Sequence, residues 1–207
     1  ISGGRISLTV GVAVAGVSVF IGLFLGLLAG YIRLLDAIIM RVMDGLMAIP
    51  GILLAIALIS LSGATILTVI VAITIPEIPR VVRLVRSVVL TVREEAYVEA
   101  AIAAGTKLPS IMIRHILPNT IAPLIVQATY VCASAMLTES ILGFLGAGIP
   151  PEIPSWGNIM SEGRTYFQLC PWIIFFPGVA WGISVMSVNI VGDGLRDTLD
   201  PRIAKKM

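Results

Sequence analysis

The chain is poor in the residues from which catalytic and metal sites are built. It has one histidine, His115, so no histidine cluster can bind a metal. Its two cysteines, Cys132 and Cys170, are far apart in sequence and lack a metal-site spacing. A disulfide would need the fold to bring them together, and two free thiols are the favoured reading. No glycine-rich loop ends in Lys-Ser or Lys-Thr, which excludes a phosphate-binding loop and with it ATP bound by this chain. Gly143-Phe144-Leu145-Gly146 with Gly148 reads as a turn at a span end, not a nucleotide cradle. Charged residues are only 13%, and the net charge of +2 carries no message about nucleic acid.

What fills the space is apolar. Hydrophobic residues make up 57% of the chain, and the mean hydropathy of +1.02 is far above that of a soluble domain. Uncharged windows run from Ile6 to Ile32, Gly45 to Pro76, Ile116 to Thr138 and Thr165 to Gly192. A helical span needs about 20 apolar residues, so the first, third and fourth windows each supply one. Ser62-Gly63 cuts the second into two arms that borrow amphipathic flanks, Ala37 to Leu61 and Ala64 to about Val85. Runs this long without alternation belong to helices, not strands. The expectation is an all-α polytopic membrane protein with five transmembrane helices, forming one domain over 1–207.

Basic residues give the orientation. Arg33 and Arg41 lie between the first two spans, and Arg80, Arg83, Arg86, Arg93, Lys107 and Arg114 flank the middle loop. Arg196, Arg202, Lys205 and Lys206 follow the last span, which leaves only Arg5 and Arg164 for the other side. By the positive-inside bias the middle loop and the C-terminus are cytoplasmic. The chain starts without Met, and Arg5 precedes an apolar run too long for a signal peptide, with no small-residue cleavage site after it. The sequence therefore reads as lacking at least one preceding span.

The most informative segment is a polar island from Glu94 to Asn119. Thr91 and Glu94 have capping-box spacing, alanine dominates the interior, and Gly105 sits where a helix end favours a left-handed residue. These cues predict a surface helix of about three turns, too short to span a bilayer. The pattern Glu99-Ala100-Ala101, Gly105, then Leu117-Pro118 resembles the EAA loop of ABC-importer permease subunits. His115 stands where that pattern usually has Ile, with Ile116 next. The resemblance implies that 91–118 is a cytoplasmic coupling loop docking on an ATP-hydrolysing subunit. Glu94, Glu95, Glu99, Ala100, Ala101, Gly105, Leu117 and Pro118 are its contact residues, with Glu95 and Glu99 offering carboxylates to basic groups.

Further segments sharpen the match. Arg5-Ile6-Ser7-Leu8, Arg114-His115-Ile116-Leu117-Pro118-Asn119, Pro154-Ser155-Trp156-Gly157-Asn158 with Glu162-Gly163-Arg164, and Gly192-Asp193-Gly194-Leu195-Arg196-Asp197-Thr198-Leu199-Asp200-Pro201-Arg202 occur in order. Together they resemble the C-type permease subunit of dipeptide, oligopeptide and nickel importers, in which a further N-terminal span precedes the Arg-Ile-Ser-Leu stretch. The resemblance implies half of a translocation pore in a bacterial or archaeal inner membrane. It also implies a B-type permease partner, two ATPase subunits carrying ATP-Mg, and an extracytoplasmic solute-binding protein. On this reading the chain binds no cofactor itself, and 143–170 is an extracytoplasmic loop. The cargo is peptide, with nickel or another small solute as the alternative. An ATP-independent secondary transporter is the competing class; it would show paired ionisable groups at mid-membrane and inverted repeats.

Polar residues inside spans are costly, so Gln127, Asn189 and Glu139 are candidate pore-lining groups; an outer-interface place for Glu139 is equally open. Gly22, Gly26 and Gly30 share one helix face, a spacing that lets membrane helices approach closely. Pro50-Gly51 is expected to bend the second span.

Overall fold

The computed structural model describes residues 2–199, and every regular element among them is helical. Asp200, Pro201, Arg202, Lys205 and Lys206 of the tail lie outside the described residues.

Helix α1 (Ser2–Tyr31) is followed at Ile32 by extended backbone and then α2 (Arg33–Met47). Proline at 50 has no N–H to continue the α2 ladder and instead precedes the first turn of α3 (Gly51–Ser62). The two helices meet at 87°. The second span is thus not one rod over Ala37 to Leu61 but a broken pair, as Pro50-Gly51 foreshadows. Gly63 ends α3 at φ +82°, a conformation open to glycine at little cost. Thr65 and Thr68 then form a reciprocal capping box that opens α4 (Ile66–Val92).

A short helix, α5 (Ala96–Ala103), leads to α6 (Leu108–Ile111), a single π-helical turn (Met112–Ile116) and α7 (Leu117–Phe144). The last three run as one helical stretch, Leu108–Phe144. Helix α8 (Trp156–Thr165) lies in the loop between α7 and α9 (Trp172–Leu199).

Three stretches are long and apolar enough to cross a membrane: α1, Leu108–Phe144 and α9; the bent α2–α3 pair makes a fourth if it counts as one span. Helix α4 has the length, at 27 residues, but carries Glu77, Arg80, Arg83 and Arg86. A count of five needs both the broken pair and this charged helix.

Packing is set by small residues. A Cβ on Gly22, Gly26 or Gly30 would fall 2.5, 2.6 and 2.5 Å from Val81, Val85 and Val89 respectively. The pairs advance together along both helices, so α1 and α4 run parallel with their backbones in close approach. Helix α7 runs antiparallel to α1, with Gly11 against Cys132 and Met136, and Ser7 against Glu139. Helix α9 leans on α7 where Gly192 meets Thr129. Its Phe175, Phe176, Ile183, Met186 and Ile190 are exposed, an apolar face that suits lipid or another membrane chain. Cys132 and Cys170 are both free thiols, as the sequence favoured.

Candidate functional site

The polar island folds as an exposed projection between α4 and α7. Thr91 does not cap it: the Thr91 hydroxyl donates to Ser87 O inside α4, which continues to Val92. The projecting helix α5 begins after Glu95 and spans eight residues, about two turns rather than three. The sequence cue failed because the apolar ladder of α4 extends through Thr91.

The end of α5 is as expected. Gly105 has φ +77°, Thr106 N–H donates to Ala101 O at 3.1 Å, and Gly105 N–H to Ile102 O at 2.9 Å. These are the two bonds of a Schellman motif, which satisfy carbonyls the helix leaves open. Val98 is buried and anchors the helix inward. Asn119 bridges Tyr97 and the π turn, its Nδ2 donating to Tyr97 Oη at 3.1 Å and to His115 O at 2.6 Å. The Tyr97 and His115 rings lie 6.0 Å apart. Thus His115, at the position where the EAA pattern usually has Ile, helps hold α5 against the start of α7.

Of the residues expected to meet a partner, Glu94, Glu95, Glu99, Ala100, Gly105 and Pro118 are exposed. Ala101 and Leu117 are partly covered. The exposed side of α5 therefore combines carboxylates with small residues and Ile102, a surface that a cleft carrying basic groups could receive.

Ion pairs brace the same end of the molecule. Arg86 lies just past the apolar stretch of α4 and makes a two-pronged pair with Asp36 of α2, with Nη2 to Oδ2 at 2.7 Å. That hydrogen bond holds the Asp36 carboxyl below its ordinary value against the opposing effect of burial, and the charges of Arg86 and Arg93 add to it. The same bond raises Arg86. Arg83 pairs with Asp44 at 2.7 Å, and Arg93 donates to Gly30 O at 3.3 Å, tying α4 to the end of α1.

The span residues separate. Glu139 is fully buried where α1, α7 and the start of α8 meet, accepting from Ser7 Oγ at 2.7 Å and Ser140 Oγ at 3.4 Å. It faces neither an open wall nor the outer interface, contrary to both sequence readings; both hydroxyls meet Oε2, and Oε1 is buried without a hydrogen-bond partner. Gln127 is half-buried and Asn189 exposed, its Nδ2 turned back to Val185 O at 3.2 Å.

Sequence reasoning missed two features. Glu77 and Arg80 lie near the middle of α4, where Arg80 Nη1 contacts both Glu77 oxygens at 3.2 and 3.3 Å, and Ser134 Oγ of α7 donates to Glu77 at 2.9 Å. Arg80, assigned from sequence to the cytoplasmic flank, is thus in the body of a helix beside a cleft of about 350 Å³ at the α2–α3 break. The Pro76-Glu77-Ile78-Pro79 run was the available signal. The second is α8. Ser155 caps it, Trp156 packs on Gly4, Gly157 fits against Ser140, and Asn158 Nδ2 donates to Ile149, Pro150 and Ile153 carbonyls at 3.0–3.1 Å. The motif Ser155-Trp156-Gly157-Asn158 is therefore the closure of the 143–170 loop on the bundle.

Among the described residues, no group of three His, Cys, Asp or Glu could hold a metal ion.

Comparison with known proteins agrees with this geometry. A probable peptide ABC transporter permease protein of Sinorhizobium fredii is 55% identical over 100% of this chain and 71% of its own length. A dipeptide transport system permease protein of Alkalihalophilus pseudofirmus is 45% identical over 97% of this chain and 66% of its own. Among solved structures, a chain of the inward-facing MetNI methionine ABC transporter superposes with a TM-score of 0.72, covering 94% of both chains at 20% identity, which shows a shared fold. The family model that matches residues 18–205 is that of a binding-protein-dependent transport system inner membrane component. The chain therefore belongs to the family of inner membrane components of binding-protein-dependent transport systems.

Proposed function

We propose that this chain is the C-type permease subunit of a peptide importer, forming half of the pore and receiving the ATPase stroke through α5. The observation that carries the coupling is the form of α5: a short helix held rigidly by Val98, Tyr97 and the Gly105 cap, with Glu95, Glu99 and Ala100 turned outward. The names of the relatives support peptide as cargo.

In this reading the chain is a single permease domain, with 91–118 as the coupling loop in the cytoplasm and 143–170 outside. Its partners are a B-type permease subunit, two ATPase subunits holding ATP-Mg, and an extracytoplasmic binding protein. Movement passes from α5 through the contacts of Tyr97 with Asn119 and His115 into α7, and through Arg93 and Arg86 into α1 and α2. The nucleotide-bound ATPase pair must prefer one pore conformation. Shifting a balance from 1:99 to 99:1 takes about 5.5 kcal/mol of differential binding.

Co-expression with the neighbouring transport subunits and purification from detergent tests the assignment. The chain should copurify with an ATP-hydrolysing subunit, and a pair of cysteines at Ala100 and the ATPase cleft should cross-link. A chain that transports peptide alone, without any ATPase, would contradict it.

A further inference from the structure

The 87° break between α2 and α3 opens the cleft of about 350 Å³ against α4 and α7. Met47, Ile52 and Ile73 are among its apolar side chains, and Glu77, Arg80, Ser134 and Thr138 are its polar ones. A guanidinium and a carboxylate halfway along a helix whose first half is uncharged are costly in lipid and belong beside protein or water.

The two charges are not equivalent. Glu77 is 6% exposed, and its oxygens are already engaged by Arg80 and Ser134. The Arg80 side chain is 44% exposed, its guanidinium lies 6.0 Å from the Tyr130 ring centroid, and only Nη1 is committed to Glu77. Arginine has five N–H donors in a planar fork, so Arg80, which lines the cleft, keeps donors uncommitted while two neighbours hold it in place. The free capacity of the cleft is for an acceptor, and a planar carboxylate matches that fork best.

Resting on the peptide-permease reading, we propose that this cleft is the chain's wall of the translocation path and that Arg80 binds the C-terminal carboxylate of the passing peptide. The apolar lining accepts a side chain without selecting among them. Glu77 is a positioning residue that aims Arg80, and Tyr130 covers its other side.

The test uses the assembled importer in proteoliposomes with its binding protein. Uptake of one peptide is compared with that of its C-terminal amide. The binding protein's own preference is common to every variant and cancels when acid-to-amide ratios are compared. Losing a charge-assisted bond should lower that ratio roughly tenfold to a hundredfold in Arg80→Gln. Glu77→Ala should move the same ratio, and Glu77→Gln should restore part of it. Independently, with Cys132 and Cys170 replaced by Ala, Thr138→Cys and Met47→Cys should react with a water-soluble methanethiosulfonate, and transported peptide should slow the reaction. Phe176→Cys, on the outward face of α9, should stay unreactive. Unlabelled cleft cysteines, or an unchanged ratio in a complex that still imports peptide, would overturn the cleft assignment alone. A wild-type complex that imports no peptide would overturn the underlying reading as well.

Discussion

Ser7 Oγ donates to Glu139 Oε2 at 2.7 Å, joining the first turns of α1 to the far end of α7 across 132 positions of sequence. Both side chains are fully buried, so the bond is shielded from competing water. Glu139→Gln keeps an acceptor of the same shape and should leave the thermal stability of the detergent-purified complex nearly unchanged. Glu139→Leu strands the Ser7 hydroxyl at a cost of about 1–3 kcal/mol, and melting should begin several degrees lower. Equal melting of both variants would show that the bond contributes nothing.

The parallel seam of α1 and α4 has no room for a side chain at Gly26, whose Cβ would meet Val85 at 2.6 Å. Gly26→Leu should prevent assembly, seen as loss of the partner subunits on purification. Gly16, on the same helix with nothing within 4 Å, is the internal control. Gly16→Ala should assemble normally, and failure of both would point to the helix itself rather than to the seam.

The Asp36–Arg86 pair should be indifferent to ordinary changes of pH. A carboxyl lowered in the folded state contributes stability that is fully present above its unfolded value and is lost as pH falls through the lowered one. The melting difference between wild type and Asp36→Asn should therefore stay constant from about pH 8 to about pH 5 and shrink only below the ordinary carboxylate range. A difference that disappears already near neutrality would contradict this.

Topology is testable with single cysteines in a background lacking Cys132 and Cys170. Ser155 is a poor site for one, because it is buried and caps α8. Glu152, exposed in the same loop, and Lys107, exposed after α5, are better. An impermeant thiol reagent should reach Glu152→Cys in intact cells and Lys107→Cys only after permeabilisation. Labelling of both from outside would overturn the orientation and the coupling assignment with it.

Much of this architecture is legible in the chain because membrane spans announce themselves by length and by uncharged windows. The α1, α7 and α9 windows, the stop at Ser62-Gly63 and the left-handed Gly105 are all local signals that tertiary packing leaves intact. What was hidden depended on partners distant in sequence. Thr91 looked like a cap because capping is judged over four residues, whereas the continuation of α4 past it rests on packing along the whole helix. Glu139 looked like a pore or interface group because its partner, Ser7, lies at the other end of the chain. Arg80 passed for one more topological charge, since only the break at Pro50 places a cleft beside it. Helix α8 was short and polar, and Ser155 ahead of Trp156 was its one local cue.

The central claim is that α5 carries the ATPase stroke, and substrate-stimulated ATP hydrolysis by the reconstituted complex tests it most directly. Gly105→Leu forces a Cβ into a left-handed backbone at a cost of about 1 kcal/mol, and Glu99→Lys reverses an exposed charge far from the membrane packing. Both variants should assemble with their partners yet lose most of the stimulation that loaded binding protein gives the wild type. Undiminished stimulation in both, with normal peptide uptake, would mean that α5 is only a surface helix.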